Sequence, residues 1–188
     1  MIDLVLIDMD GVLVDFARPA LAKFDRLGVY DNWPPGEYDI EGVAGVPQDE
    51  FWEVLDNEGP EFWAGLPALP WALQLCHLVR NKVLNGFHIA TSPSRAPASS
   101  MGKVHWLQKF FDPGFRRYML GSHKYLMAKP GVVLIDDSDE KCEKFVEAGG
   151  GAILFPQPWN ANHVLIRADQ QYGGRLDFVK ARLAELGN

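Results

Sequence analysis

Five short apolar runs set the frame: Leu4–Ile7, Phe87–Ala90, Arg117–Leu120, Val132–Ile135 and Ala152–Phe155. Most are continuously apolar, and each is bounded by Gly, Pro or polar residues. Strands buried on both faces read this way, because helices cover a parallel sheet above and below. Segments with helical spacing separate the runs. Leu73, Cys76, His77, Val79 and Leu84 recur on one side of residues 70–85, and Val104, Leu107, Phe110 and Phe111 do so in 101–111. Cys142, Phe145, Val146 and Gly149 follow the fourth run, and Leu176, Val179, Leu183 and Leu186 form a last amphipathic stretch. Strand and helix in alternation predict an α/β sheet with right-handed crossovers.

Residues 16–71 break that rhythm. They hold seven prolines (Pro19, Pro34, Pro35, Pro47, Pro60, Pro67 and Pro70) and ten aromatic residues, with no strong strand pattern. They read as a small, mostly helical insertion after the first strand, with 1–15 and 72–188 as the α/β core. A subdomain that small needs large side chains to build any core, so packing is the first explanation of its aromatics.

A chain of 188 residues suits one domain with such an insertion. The formal net charge is −7 and no Lys/Arg run occurs. That argues against a nucleic-acid polymer or an anionic membrane as partner, since both need phosphate neutralisation. It does not argue against a single nucleotide. Cys76 and Cys142 have no metal-ligand spacing, so a reduced, cytoplasmic setting is expected. No basic leader segment or membrane-length apolar run is visible.

The strongest local signal is Asp8-Met9-Asp10-Gly11, directly after the first strand. Open α/β sheets bind ligands at the C-terminal strand edge. An extended backbone aims residues two apart the same way, and glycine permits a sharp turn. The fourth strand closes on a second pair, Asp136-Asp137. Adjacent carboxylates repel unless a cation or shared proton intervenes, and a hard divalent ion such as Mg²⁺ prefers oxygen ligands. Helix capping by Asp137-Ser138 would explain one of these acids but hardly both. The second strand ends in Thr91-Ser92-Pro93, whose hydroxyls and N–H groups suit a phosphate oxygen or an ordinary turn. Lys124, after the third strand, could neutralise a transferring phosphoryl group, and Lys129 competes for that role. Four strand ends thus carry groups suited to phosphoryl chemistry.

This ordered set resembles the haloacid dehalogenase superfamily of phosphotransferases. Asp8-Met9-Asp10-Gly11, Thr91, Lys124 and Asp136-Asp137 match its four motifs in order. Within it, the chain is similar to the 5'(3')-deoxyribonucleotidase family. Similarity lies in Asp8–Phe16, in Phe62-Trp63-Ala64-Gly65-Leu66-Pro67-Ala68-Leu69-Pro70, in Thr91-Ser92-Pro93, in Lys103–Phe111 and in Leu134-Ile135-Asp136-Asp137. The register Leu120-Gly121-Ser122-His123-Lys124 favours Lys124 for the third motif, with Ser122 where the family carries an arginine.

The resemblance implies a Rossmann-like parallel sheet with a small helical cap over residues 16–71. It implies that Asp8 attacks phosphorus to form an aspartyl-phosphate, while Asp10 protonates the leaving oxygen and then activates water. Thr91 and Lys124 would complete the catalytic set. Mg²⁺ would bind Asp8, the carbonyl of Asp10, and Asp136 or Asp137. Phe16, with Tyr38, Trp52 and Trp63 of the cap, would sandwich a nucleobase, and Ser92 would also touch the substrate. The expected activity is Mg²⁺-dependent hydrolysis of nucleoside monophosphates, deoxyribonucleotides first. Another small phosphomonoester such as a sugar phosphate, or a non-catalytic binding role, is the alternative. A homodimer is left open.

Overall fold

Residues 1–166 and 173–188 are described by the structure, a computed structural model. Its sheet forms from the apolar runs: β1 (Leu4–Ile7), β2 (Phe87–Thr91), β3 (Tyr118–Leu120), β4 (Val132–Asp136) and β5 (Gly151–Leu154). All neighbouring pairs are parallel, in the order β3-β2-β1-β4-β5. β1 is central, with Val5 opposite Phe87 on one side and Val133 on the other.

Successive side chains of a strand point to opposite faces. Val5, Ile7, Ile89, Val133, Ile135 and Ile153 join the larger apolar core, while Leu6, Val132 and Leu134 meet Phe145 on the other face. Burying such side chains stabilises by about 1.5–3 kcal/mol each. The continuous apolar runs of the sequence therefore reflect two covered faces.

The covering helices are α6 (Ala72–Arg80), α7 (Pro97–Phe110), α8 (Asp139–Glu147) and α9 (Gly173–Gly187); among the described residues, five others precede them in the chain. Two predicted faces are rotated. In the helix over 72–80 the buried positions are Ala72, Leu75, Cys76 and Val79, whereas Leu73 and Leu84 are 54% and 74% exposed and His77 faces solvent. The i, i+3, i+4, i+7 stripe starting at Ala72 wins because it places Leu75 and Cys76 on the sheet. In α7 the buried stripe is Ser99, Gly102, Lys103, Trp106 and Leu107, one step round from the predicted Val104 and Phe110.

Residues 16–71 contain α1 (Ala17–Ala22), α2 (Leu27–Asp31), α3 (Ile40–Ala44), α4 (Gln48–Asn57) and α5 (Pro60–Gly65), and no named strand. The chain leaves and returns at one point. Asp15 N donates to Pro67 O at 2.9 Å, Leu69 N donates to Leu13 O at 2.8 Å, and Val14 bridges Ala68 antiparallel. Trp71 Nε1 adds a bond to Val12 O at 2.9 Å. Most aromatics here serve packing, as small size requires: Trp33, Phe51, Trp63 and Trp71 are buried in the same core as the sheet, and Phe24 stacks on Phe51. Among the described residues, no helix is long and apolar enough to cross a membrane.

Candidate active site

Asp8 follows the last residue of β1, and its N–H donates to Ile135 O at 2.9 Å. That bond holds it beside the end of β4. The chain then coils tightly: Val12, Leu13 and Val14 N–H groups all donate to Met9 O. Gly11 has φ +75°, and a Cβ there would lie 2.0 Å from Asp137 Oδ2. Glycine is required both for the left-handed backbone and for this close approach.

Lys124, on the short 3₁₀ turn after β3, is 5% exposed. Its Nζ lies 2.7 Å from Asp8 Oδ1 and donates to Asp136 Oδ2 at 2.6 Å. Lys129, the competing lysine, is exposed. Ser138 N donates to the other Asp136 oxygen at 3.0 Å, and Ser138 Oγ caps α8 by accepting from Lys141 N. Capping thus falls to Ser138 and leaves both acids for another use. Trp159 Nε1 donates to Asp137 Oδ2 at 2.7 Å, and Asn160 Nδ2 donates to Asp137 O at 2.9 Å. Carboxylate oxygens of Asp8, Asp136 and Asp137 all lie within 4.8 Å of one another. Three buried oxygens of like charge at that spacing match a hard divalent cation.

Thr91, fully buried at the end of β2, shares a hydrogen bond of 3.0 Å with Lys103 Nζ. The same ammonium pairs with the carboxylate of Asp10. Asp10 is therefore held apart from the three-carboxylate cluster, and its Oδ1 is buried without a hydrogen-bond partner among the described residues. Ser92 Oγ donates to Gly121 O at 3.4 Å. Lys103 escapes sequence reasoning as a site residue, as do Gln157, whose amide donates to Gly11 O, Trp159 and Asn160. The apolar spacing predicts a stripe that omits Lys103, so no local pattern marks it.

Charge follows this geometry. Burial works to raise the Asp8 pKa, but Lys124, Lys141 and Lys103 together outweigh it and hold the group below the ordinary aspartate value. Burial would lower the Lys124 pKa, yet Asp136 and Asp8 raise it, so the ammonium is retained. Asp137 is pushed well up, first by burial and then by Asp136 and Asp8; Lys141 and the Trp159 bond offset only part of this. One carboxylate is thus ionised beside another whose charge lacks full compensation, which is what a cation supplies.

Above the carboxylates lies a cavity of about 860 Å³. Phe16, Tyr38, Trp52, Trp63 and Ser92 all line it, together with Asp8, Asp10 and Asp137. Phe16 stacks between Trp63 and Trp52, with centroid distances of 5.6 and 5.9 Å and interplanar angles of 6°. A ring inserted between two others needs about 7 Å, twice the contact distance. The three rings pack on one another rather than framing an open slot, and Tyr38 is half exposed at the rim.

Residues 1–183 match the family described as 5' nucleotidase, deoxy (pyrimidine), cytosolic type C protein. A candidate 5'(3')-deoxyribonucleotidase of Vibrio phage KVP40 is 29% identical over 136 residues, which are 71% of this chain and 65% of that protein's length. Among solved structures, a haloacid dehalogenase family hydrolase from Deinococcus radiodurans R1, crystallised with bound phosphate and sodium, superposes with TM-score 0.58 at 20% identity, covering 99% of this chain and 96% of that one. A haloacid dehalogenase-like protein from Agrobacterium tumefaciens superposes with TM-score 0.58 at 19% identity over the full length of both. Those two likenesses concern the fold. The match over nearly the whole sequence, on a sheet whose strand ends assemble Asp8, Thr91, Lys124 and Asp136-Asp137, places the chain in the deoxy (pyrimidine) 5' nucleotidase family, with the haloacid dehalogenase fold.

Proposed function

We propose that the protein is a Mg²⁺-dependent phosphatase of nucleoside monophosphates, deoxyribonucleotides above all, working through an aspartyl-phosphate. The observation that carries this is the Asp8 carboxylate, ionised by Lys124 at 2.7 Å and facing a cavity large enough for a nucleotide. Asp8 forms the bond to phosphorus as the bond to the nucleoside oxygen breaks. Asp10 delivers its proton to that leaving oxygen, then takes one from the water that opens the acyl phosphate. Lys103 positions Asp10 and Thr91 relative to each other, and Lys124 keeps the nucleophile charged and oriented.

Asp8, the backbone carbonyl of Asp10, and Asp136 or Asp137 would hold the Mg²⁺. When bound, that ion offsets the repulsion between an anionic nucleophile and an anionic phosphate. A cytoplasmic setting goes with this reading. The residues 16–71 act as a cap over the core of 1–15 and 72–188.

Phosphate release from a panel of nucleoside and sugar monophosphates with Mg²⁺ tests the proposal. Nucleotides are expected to lead, and Asp8→Asn to abolish release for all of them. Equal turnover of sugar phosphates removes the nucleotide assignment, and undiminished activity of Asp8→Asn removes the mechanism.

A further inference from the structure

The loop after β5 touches three parts of the molecule at once. Gln157 donates its amide to Gly11 O, in the turn that follows Asp8. Trp159 Nε1 donates to Asp137 Oδ2 at 2.7 Å, and Asn160 Nδ2 donates to Asp137 O at 2.9 Å. Pro158 O accepts from Gly36 N, in the cap, at 2.8 Å. Trp33, also in the cap, packs against the Trp159 ring, with 5.2 Å between centroids and 56° between planes. The Trp159 indole therefore has the acid cluster at its N–H edge and the cap against its ring.

Asp136 and Asp137 are held differently. Asp136 is bound at both oxygens, one by Lys124 Nζ and the other by Ser138 N. The Asp137 carboxylate takes its hydrogen bond from Trp159. Burial, Asp136 and Asp8 work against its charge, whereas Lys141 and the Trp159 bond favour it. A hydrogen bond at one carboxylate oxygen lies near the plane of the group, and so sets the direction of the other oxygen. Groups that orient a cation's ligands without touching the cation are worth about 10- to 100-fold in its affinity. Trp159 is held in its turn. Trp33 Nε1 donates to Glu37 O at 2.7 Å, which closes the cap loop around Gly36, and both indoles are buried. On the core side, a Cβ on Gly11 would stand 3.0 Å from Trp159 Cζ2. An indole is one rigid plane, so a tilt that loses Trp33 moves Nε1 as well.

We propose that Trp159 is a positioning residue for the divalent cation: its indole N–H holds Asp137 in the direction the cation needs, and Trp33 of the cap holds the indole, so that cation affinity and docking of the cap loop rise and fall together. The inference rests on the Mg²⁺ reading above. The coupling is reciprocal by linkage: a docked cap loop that favours the cation is favoured by the cation to the same degree.

Calorimetric titration with Mg²⁺ alone, without substrate, compares the wild type, Trp159→Phe, Trp33→Leu and Trp106→Phe. Trp159→Phe keeps an aromatic ring against Trp33 and loses the N–H. Trp106→Phe loses a buried bond of the same kind, to Leu66 O at 2.8 Å, away from the acids. Trp159→Phe is expected to weaken Mg²⁺ binding by about ten-fold or more. Trp33→Leu is expected to weaken it by about five-fold or more, although Trp33 carries no ligand. Trp106→Phe should leave it unchanged. Saturating Mg²⁺ should restore the kcat of Trp159→Phe, which a general loosening of the fold would not allow. A wild-type measurement guards against a variant that fails to fold: the Gly36 amide hydrogen should exchange more slowly in Mg²⁺ than in chelator. Equal Gly36 exchange in the two conditions, a kcat of Trp159→Phe that Mg²⁺ does not restore, or wild-type Mg²⁺ affinity in either Trp159→Phe or Trp33→Leu would overturn the proposal while leaving the cation reading intact. Absence of Mg²⁺ binding to the wild type, by calorimetry and by melting temperature alike, would overturn that reading itself.

Discussion

Asp8 and Asp136 would repel each other across the strand ends if Lys124 were not between them. Its ammonium touches both at 2.7 and 2.6 Å, and all three groups are buried. Such a triad is not cheap, because three charges leave water, but breaking it is costlier still. Lys124→Met leaves two facing carboxylates without the one ammonium that touches both. In chelator, urea unfolding should show a loss of about 3 kcal/mol or more, and phosphatase activity should disappear. Lys129→Met removes the same formal charge from an exposed site and should change stability by less than about 0.5 kcal/mol. Equal effects of the two substitutions would place the essential lysine elsewhere. The sequence made both lysines candidates, since each follows β3 at a plausible distance. It made neither Lys103 nor Gln157 a candidate. Lys103 is buried because its charge is met by Asp10, 93 positions away, and a polar residue paired over that distance leaves no local pattern.

Helix existence was legible where helix rotation was not. The spacing of apolar residues announces a helix over 72–80, but Leu73, Cys76 and Val79 and the observed Ala72, Leu75, Cys76 and Val79 are nearly equal fits to a 3.6 period. Contact with the sheet decides between them. In α7 the deciding contact is with α5. A Cβ on Gly102 would stand 2.4 Å from Pro60 O and 2.5 Å from Trp63 Cβ. Trp106 Nε1, one turn on, donates to Leu66 O at 2.8 Å. The helix that carries Lys103 is thus pressed against the helix that carries Trp63, with backbone in the way of any added atom. Gly102→Ala should cost about 1–3 kcal/mol in unfolding free energy, the usual range for overpacking. It should also raise KM for a nucleotide more than it lowers kcat, because Trp63 shifts while Asp8 does not. A variant as stable as wild type, with unchanged KM, would show that α5 has room to move.

At the scale of the whole molecule, the sequence order of the strands conceals their spatial order. Asp8 and Asp136 are far apart in the chain, yet β1 and β4 are sheet neighbours, and β2 lies on the other side of β1. The parallel sheet was readable from the apolar runs, so a shared C-terminal edge followed. The adjacency that brings Asp8 within reach of Asp136 and Asp137 did not follow from the runs themselves, because right-handed crossovers allow more than one strand order; the family resemblance alone implied it. The resulting acid cluster makes folding and cation binding a single problem. Asp137 has its pKa driven upward by burial and by Asp136 and Asp8, so its charge weakens the cation-free fold once pH exceeds the ordinary aspartate value. A divalent cation that binds only the folded chain should reverse this. At about a hundred times its dissociation constant, Mg²⁺ contributes about 2.7 kcal/mol, which for a chain this long raises Tm by about 5–10 °C. The rise should be cancelled by chelation and absent in Asp136→Asn, whereas Na⁺ at equal ionic strength should give little of it. A melting temperature indifferent to Mg²⁺ in the wild type would mean that Asp8, Asp136 and Asp137 share protons rather than an ion.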